Sequence, residues 1–123
     1  MKWWGWAAWW LGLAAWTVAL TTTFPVHIHQ NYLPDPPGIP LGKVLHVGAY
    51  AFLAALVIWL RPPHPWRWLA VLFLLEHAVL TEFIQGFVEE RTSSVSDIVL
   101  DHAGVALGVG LAWLLPRGLR SKA

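Results

Sequence analysis

The chain has 123 residues, of which 57% are hydrophobic and 12% are charged. Because about 25% of the residues in a soluble domain are charged, this composition indicates a membrane protein. The net charge is only +1, with no basic stripe between stacking aromatic residues, which argues against nucleic acid as a partner. The chain has no cysteine, which excludes disulfides, thiolate metal sites and a cysteine nucleophile.

Four apolar stretches, residues 3–24, 44–60, 66–88 and 95–115, predict membrane helices. Each approaches the ~20 residues that a helix needs to cross ~30 Å of hydrocarbon. Little polypeptide lies outside them, so we expect a single domain over residues 1–123 with no separate soluble catalytic domain. The predicted fold is an all-α, four-helix integral membrane bundle.

The basic residues predict its orientation. Six Lys and Arg residues fall on the side of the N-terminus, whereas Lys43 and Arg91 fall on the other side. By the positive-inside rule, both termini are cytoplasmic. Because the first apolar run is longer than a signal-peptide core, we expect it to be an uncleaved anchor. Its small residues at alternating spacings of three and four predict close packing within the bundle, which we favour over a dimerisation face: Gly5, Ala8, Gly12, Ala15 and Ala19.

The connections are distinguished by their prolines. Residues 25–42 contain five prolines and predict an irregular outer loop, in which His27 and His29 are more typical of an exposed loop than of a metal site. Three prolines within residues 61–65 predict a tight hairpin on the cytoplasmic side. Residues 89–96 form the outer turn, where Ser94 or Ser96 is expected to cap the last helix.

Helical periodicity places polar side chains on one face of each of the last three helices, all near the outer surface. Lys43, His46 and Tyr50 share one face, Glu82 and Gln85 share another, and Asp97 and Asp101 share the third, which continues with Gly104 and Gly108. Arg91 lies in the turn above them. We therefore predict one outward-facing polar pocket formed by His46, Glu82, Gln85, Arg91, Asp97 and Asp101.

Two chemistries suit such a pocket. In the first, Lys43, His46 and Arg91 bind an anionic headgroup or diphosphate, while carboxylates orient these cations or handle protons. In the second, imidazole and carboxylates hold a divalent metal. A paired network that only fixes helix register is the structural alternative. The candidate catalytic residues are His46, Glu82, Asp97 and Asp101; the candidate ligand-binding residues are Lys43, Tyr50, Gln85 and Arg91.

Glu76 and His77 lie near the middle of the third helix, away from the Glu82 face. They fit a buried hydrogen-bonded pair, a proton route, or an interface with a partner, and the buried pair is the favoured interpretation.

The segment Gly42-Lys43-Val44-Leu45-His46 with Tyr50, then Glu82-Phe83-Ile84-Gln85, Arg91, Ser94, Asp97 and Gly104, resembles the VanZ-like membrane protein family. The family pattern is Lys-x-x-His-x-x-x-Tyr, then Glu-x-x-Gln, an Arg, and an Asp with a later Gly. This chain has Gly42 where the family often has Asp, and Asp101 where it often has Asn. The resemblance implies a four-helix bundle in the bacterial cytoplasmic membrane and a link to glycopeptide-type antibiotic resistance.

These observations lead to three functional hypotheses. The first is recognition, with or without modification, of an anionic envelope lipid or lipid-linked glycan at the outer leaflet. The second is a non-catalytic accessory subunit that packs against a larger membrane complex through the first helix. The third is ion or proton movement through Glu76, His77 and Glu82. No cofactor or metal is assigned from the sequence.

Overall fold

The computed structural model describes residues 3–23, 38, 40–89 and 93–115, which form four α-helices. The helices are α1 (Trp3–Thr21), α2 (Leu41–Leu60), α3 (His64–Gln85) and α4 (Val95–Leu114). No strand occurs in these residues, and the prediction of an all-α four-helix bundle is confirmed. The predicted helix ends differ from the observed ends by three residues or fewer.

Prolines set the limits of α2 and α3. Pro40 precedes the first residue of α2, and Arg61 ends that helix in the left-handed conformation, where its N–H donates to the Ile58 carbonyl at 3.3 Å. Two prolines follow, and Pro65 occupies the first turn of α3, where a missing N–H costs no helical hydrogen bond. So short a connection makes α2 and α3 antiparallel neighbours.

Three helices, α2, α3 and α4, are long and apolar enough to cross a membrane. The first helix, α1, is not among them, because six of its 19 residues are tryptophan, whose polar indole N–H lowers its hydropathy. A membrane-spanning role for α1 therefore stays a prediction. The orientation of the bundle also stays a prediction.

The backbones of α2 and α4 approach closely at two glycines. A Cβ atom at Gly104 would lie 2.6 Å from the Val47 carbonyl oxygen, and a Cβ atom at Gly108 would overlap the backbone of Ala51. Small residues permit this close approach in membrane bundles, where dispersion forces between helices replace the hydrophobic effect. This contact fixes the distance between the polar faces of α2 and α4.

On its other side, α2 packs against α1, which contributes both a tryptophan and glycines to the contact. Trp9 is 1% exposed, and its indole N–H donates to the Leu53 carbonyl at 3.1 Å. Gly5 lies against Leu60, while Ala8 and Ala15 from the same strip are exposed. The glycines of the predicted strip therefore pack within the bundle, but two of its alanines do not.

The glycine contact gives a testable prediction. Gly108→Ala should destabilise the folded protein by about 1–3 kcal/mol, because its methyl group would overlap the Ala51 backbone, which cannot yield as a side chain can. Gly110→Ala is the matched control, since a Cβ there meets open space. Unfolding by sodium dodecyl sulfate in mixed micelles, followed by tryptophan fluorescence, measures both. Equal stability of the two variants would contradict the proposed contact.

Candidate functional site

The antiparallel arrangement brings the beginnings of α2 and α4 together with the end of α3. His46 and Asp101 are the sixth and seventh residues of their helices, and Glu82 lies three residues before the end of α3. All three side chains are buried. This end of the bundle, formed by His46, Glu82 and Asp101 with their neighbours, is called the polar end below.

A hydrogen-bonded pair of His46 and Asp101 links α2 to α4. Nδ1 of His46 lies 2.7 Å from Oδ1 of Asp101, and the two residues are 8% and 0% exposed. An ionised Asp101 accepts the Nδ1 proton, which leaves Nε2 as the accepting atom of a neutral ring. Nε2 is the atom of the His46 ring that this bond to Asp101 leaves unused.

A second, looser ion pair lies nearer to the surface. Nζ of Lys43 is 3.8 Å from Oδ1 of Asp97, and the Lys43 side chain is 52% exposed. Exposed ion pairs at such distances contribute little to stability, in the range of ~0–1 kcal/mol. The ammonium group of Lys43 is therefore free to exchange Asp97 for an anionic ligand.

Glu82 connects the last turn of α3 to the start of α4. Its Oε1 accepts a hydrogen bond from the backbone N–H of Ser94 at 2.7 Å, and the residue is 1% exposed. Ser94 precedes the first residue of α4, as predicted, although its hydroxyl bonds Ser96 rather than a helical N–H. Glu82 lies near enough to His46, Asp97 and Asp101 for their charges to affect one another. The four candidate catalytic residues thus occupy one region.

Three buried polar atoms near this region have no hydrogen-bond partner within the described part of the chain. They are Nε1 of Trp16, Nε2 of Gln85 and Oδ2 of Asp101. Because buried polar groups are nearly always hydrogen-bonded, such atoms call for a partner such as water or a ligand. Two hydrogen-bond donors and one acceptor are thus available to such a water or ligand.

Tyr50, a candidate ligand-binding residue, belongs instead to a closed network one turn deeper. It is 0% exposed, and its hydroxyl lies 2.9 Å from Nδ1 of His77. Nε2 of His77 lies 2.7 Å from Oγ1 of Thr17, whose own proton goes to the Leu13 carbonyl at 2.7 Å. Since the hydroxyl of Thr17 has only one proton, Nε2 of His77 must donate to it, and Tyr50 then donates to Nδ1. The hydroxyl proton of Tyr50 is thus used within the bundle, and its role in ligand binding stays a prediction.

Two residues of α1 near the polar end were not identified from the sequence. The Trp16 ring lies 5.5 Å from the His46 ring and 6.2 Å from the Tyr50 ring, and Thr17 bonds His77. The available signal was the depth of Trp16, the only tryptophan far from the predicted cytoplasmic ends. Helical periodicity could not tell which face of α1 meets the other helices.

Glu76 and His77 do not form the buried pair that the sequence favoured. His77 points into the bundle, whereas Glu76 is exposed, halfway along α3. A charged side chain at the centre of a membrane helix costs ~2.5–3.5 kcal/mol on insertion scales. The two neighbours therefore have different roles.

A metal centre finds no support in the described residues. Among residues 3–23, 38, 40–89 and 93–115, no group of three or more His, Asp or Glu side chains is placed to hold a metal ion. Arg91, His27 and His29 lie outside the described residues, so their predicted positions are untested.

A family model described as VanZ/LLP1 matches residues 5–116. The chain belongs to the VanZ/LLP1 family. This result confirms the resemblance seen in the sequence and, with the three apolar helices, identifies a VanZ-like membrane protein. No curated protein and no solved structure matches the chain.

Proposed function

We propose that this VanZ/LLP1 protein recognises an anionic envelope lipid or lipid-linked glycan at the outer leaflet of a bacterial cytoplasmic membrane. In this proposal the chain crosses the membrane several times with both termini inside, so that the polar end faces outward. The distribution of Lys and Arg supports this orientation.

The observation that carries the proposal is the buried His46–Asp101 pair, which leaves a carboxylate oxygen without a hydrogen-bond partner among the described residues. This oxygen is the buried Oδ2 of Asp101, and a half-exposed Lys43 lies at the surface above. A phosphate-bearing headgroup offers oxygen acceptors for Lys43 and hydroxyl groups for Nε2. An imidazole oriented by a carboxylate is also a competent proton acceptor, which modification of the headgroup would require.

In this proposal Arg91, in the outer turn that the sequence predicts, also binds the headgroup. Its planar fork binds phosphate oxygens in pairs, whereas a lysine at the same position offers a single point charge. In this proposal Arg91 and Lys43 bind the phosphate, and His46 binds the part of the headgroup that lies deeper.

Binding of a fluorescent polyprenyl phosphate to the chain in phosphatidylcholine nanodiscs tests the proposal. Arg91→Ala and Lys43→Ala should each weaken binding by about 10- to 150-fold, the loss of one charge-assisted hydrogen bond of ~1.5–3 kcal/mol, while stability changes little. Arg91→Lys should recover only part of the affinity. Arg61→Ala, a charge change at the opposite end of α2, is the matched control. Full binding by Arg91→Ala would refute this headgroup site and favour the accessory-subunit hypothesis.

A role in glycopeptide-type antibiotic resistance rests on the family resemblance. If the chain has this role, the same Arg91 variants should change the susceptibility of a host strain in parallel with their lipid affinity. Unchanged susceptibility with abolished binding would separate lipid recognition from resistance.

A further inference from the structure

Glu76 lies on an exposed face of α3, which α1 borders at Phe73 through ring contacts with Trp9 and Trp10. The neighbouring positions on this face, one or two turns away, are all exposed and apolar. They are Leu69, Leu72, Leu80 and Phe83. Together with Glu76 these residues define the Glu76 face.

The carboxyl group of Glu76 is deep within the span. At 1.5 Å per residue it lies about 18 Å from the start of α3 and about 14 Å from its end, beyond the reach of its short side chain. It makes no hydrogen bond or ion pair with the described residues. An ionisable group facing lipid at this depth is ordinarily paired or placed against another helix.

We propose that the Glu76 face docks a transmembrane helix of a different membrane protein, one that carries a single Lys or Arg near the bilayer midplane. Charge complementarity selects this partner, because a cation at the same depth converts the cost of the lipid-facing carboxylate into an interhelical ion pair. The apolar side chains above and below Glu76 then pack against the apolar residues of the partner helix.

A second copy of the chain suits this face poorly. Two Glu76 faces in contact would bring two carboxyl groups together. The described Lys and Arg residues lie at helix ends rather than at the depth of Glu76, namely Lys43, Arg61 and Arg67. None of the described cations lies at the depth of Glu76, so in this proposal the cation comes from a different protein.

Energy transfer in phosphatidylcholine vesicles tests the proposal with a defined probe. The full chain, which lacks cysteine, is labelled at a single cysteine added after Ala123. The partners are a leucine-rich transmembrane peptide with one central Lys and the same peptide with Leu at that position. The Lys peptide should bind about three- to tenfold more tightly, as expected for one interhelical polar contact.

Variants of the chain separate docking from general packing. Glu76→Leu should remove the preference for Lys while inserting and folding at least as well as the wild type, and Glu76→Gln should retain part of it. Leu80→Ala is the matched control on the same face and should weaken the binding of both peptides equally. Equal binding of the two peptides, or a Lys preference that survives Glu76→Leu, would overturn the proposal. Energy transfer between differently labelled copies that Glu76→Leu abolishes would identify a second copy as the occupant instead, and would also overturn it.

Discussion

His46→Ala is expected to destabilise the bundle by about 3–5 kcal/mol, one of the largest effects of any single change at the polar end. The substitution leaves the fully buried carboxylate of Asp101 without the imidazole that lies 2.7 Å from it. Removing the hydrogen-bond donor of a buried carboxylate costs more stability than the hydrogen bond itself contributes, because the remaining charge stays desolvated and unpaired. Unfolding by sodium dodecyl sulfate, followed by tryptophan fluorescence, measures the loss.

A double variant distinguishes scaffold from function. His46→Leu combined with Asp101→Leu removes both polar groups, so its stability should return close to that of the wild type while headgroup binding is lost. His102→Ala serves as the control, since within the described residues that side chain bonds the Leu75 carbonyl at 3.1 Å, and its loss should lower stability by ~0.5–1.5 kcal/mol. A double variant no more stable than His46→Ala would show that the pair is not a coupled unit.

Glu82→Ala is expected to lower the free energy of unfolding by about 1.5–3 kcal/mol and to abolish headgroup binding. The carboxylate accepts the Ser94 N–H, and its loss releases the connection that leads into α4 and its Asp97. The expected cost is smaller than for His46→Ala, because the group left without a partner is a neutral backbone N–H rather than a buried charge.

The conservative and control variants sharpen this second test. Glu82→Gln keeps an oxygen that can accept the Ser94 N–H, so it should restore most of the stability. Glu89→Ala, at an exposed position beyond the end of α3, should leave both stability and binding unchanged. If Glu82→Ala unfolds like the wild type, the carboxylate does not hold this connection together.

The helices and the polar end could be predicted because both follow from local periodicity. Apolar runs and prolines gave the helix limits to within three residues. The spacings of Lys43 and His46, and of Asp97 and Asp101, placed their side chains on single faces. These faces do meet, at 3.8 Å for one pair and 2.7 Å for the other.

The contribution of α1 could not be predicted, because it depends on how the helices rotate against one another. Tyr50 shares a helical face with His46, yet Thr17 and His77 bind it into a separate network. Similarly, Glu76 and His77 are adjacent in sequence but about 100° apart around the helix, and only packing decides which of them turns inward. Sequence periodicity gives the angle between two side chains around a helix. It does not show which of the two faces the other helices.

The close contact of α2 with α4 also determines the order in which the protein can be completed during synthesis. Gly104 and Gly108 lie against α2, but both are made only after α3 has been synthesised. More than fifty residues are synthesised after His46 before its partner Asp101 is made. Until then the α2–α3 hairpin has an unpaired histidine, and α4 brings Asp97 and Asp101 to a partner already in place. The last helix to arrive thus completes the polar end, and a nascent chain stopped before Val95 would lack it.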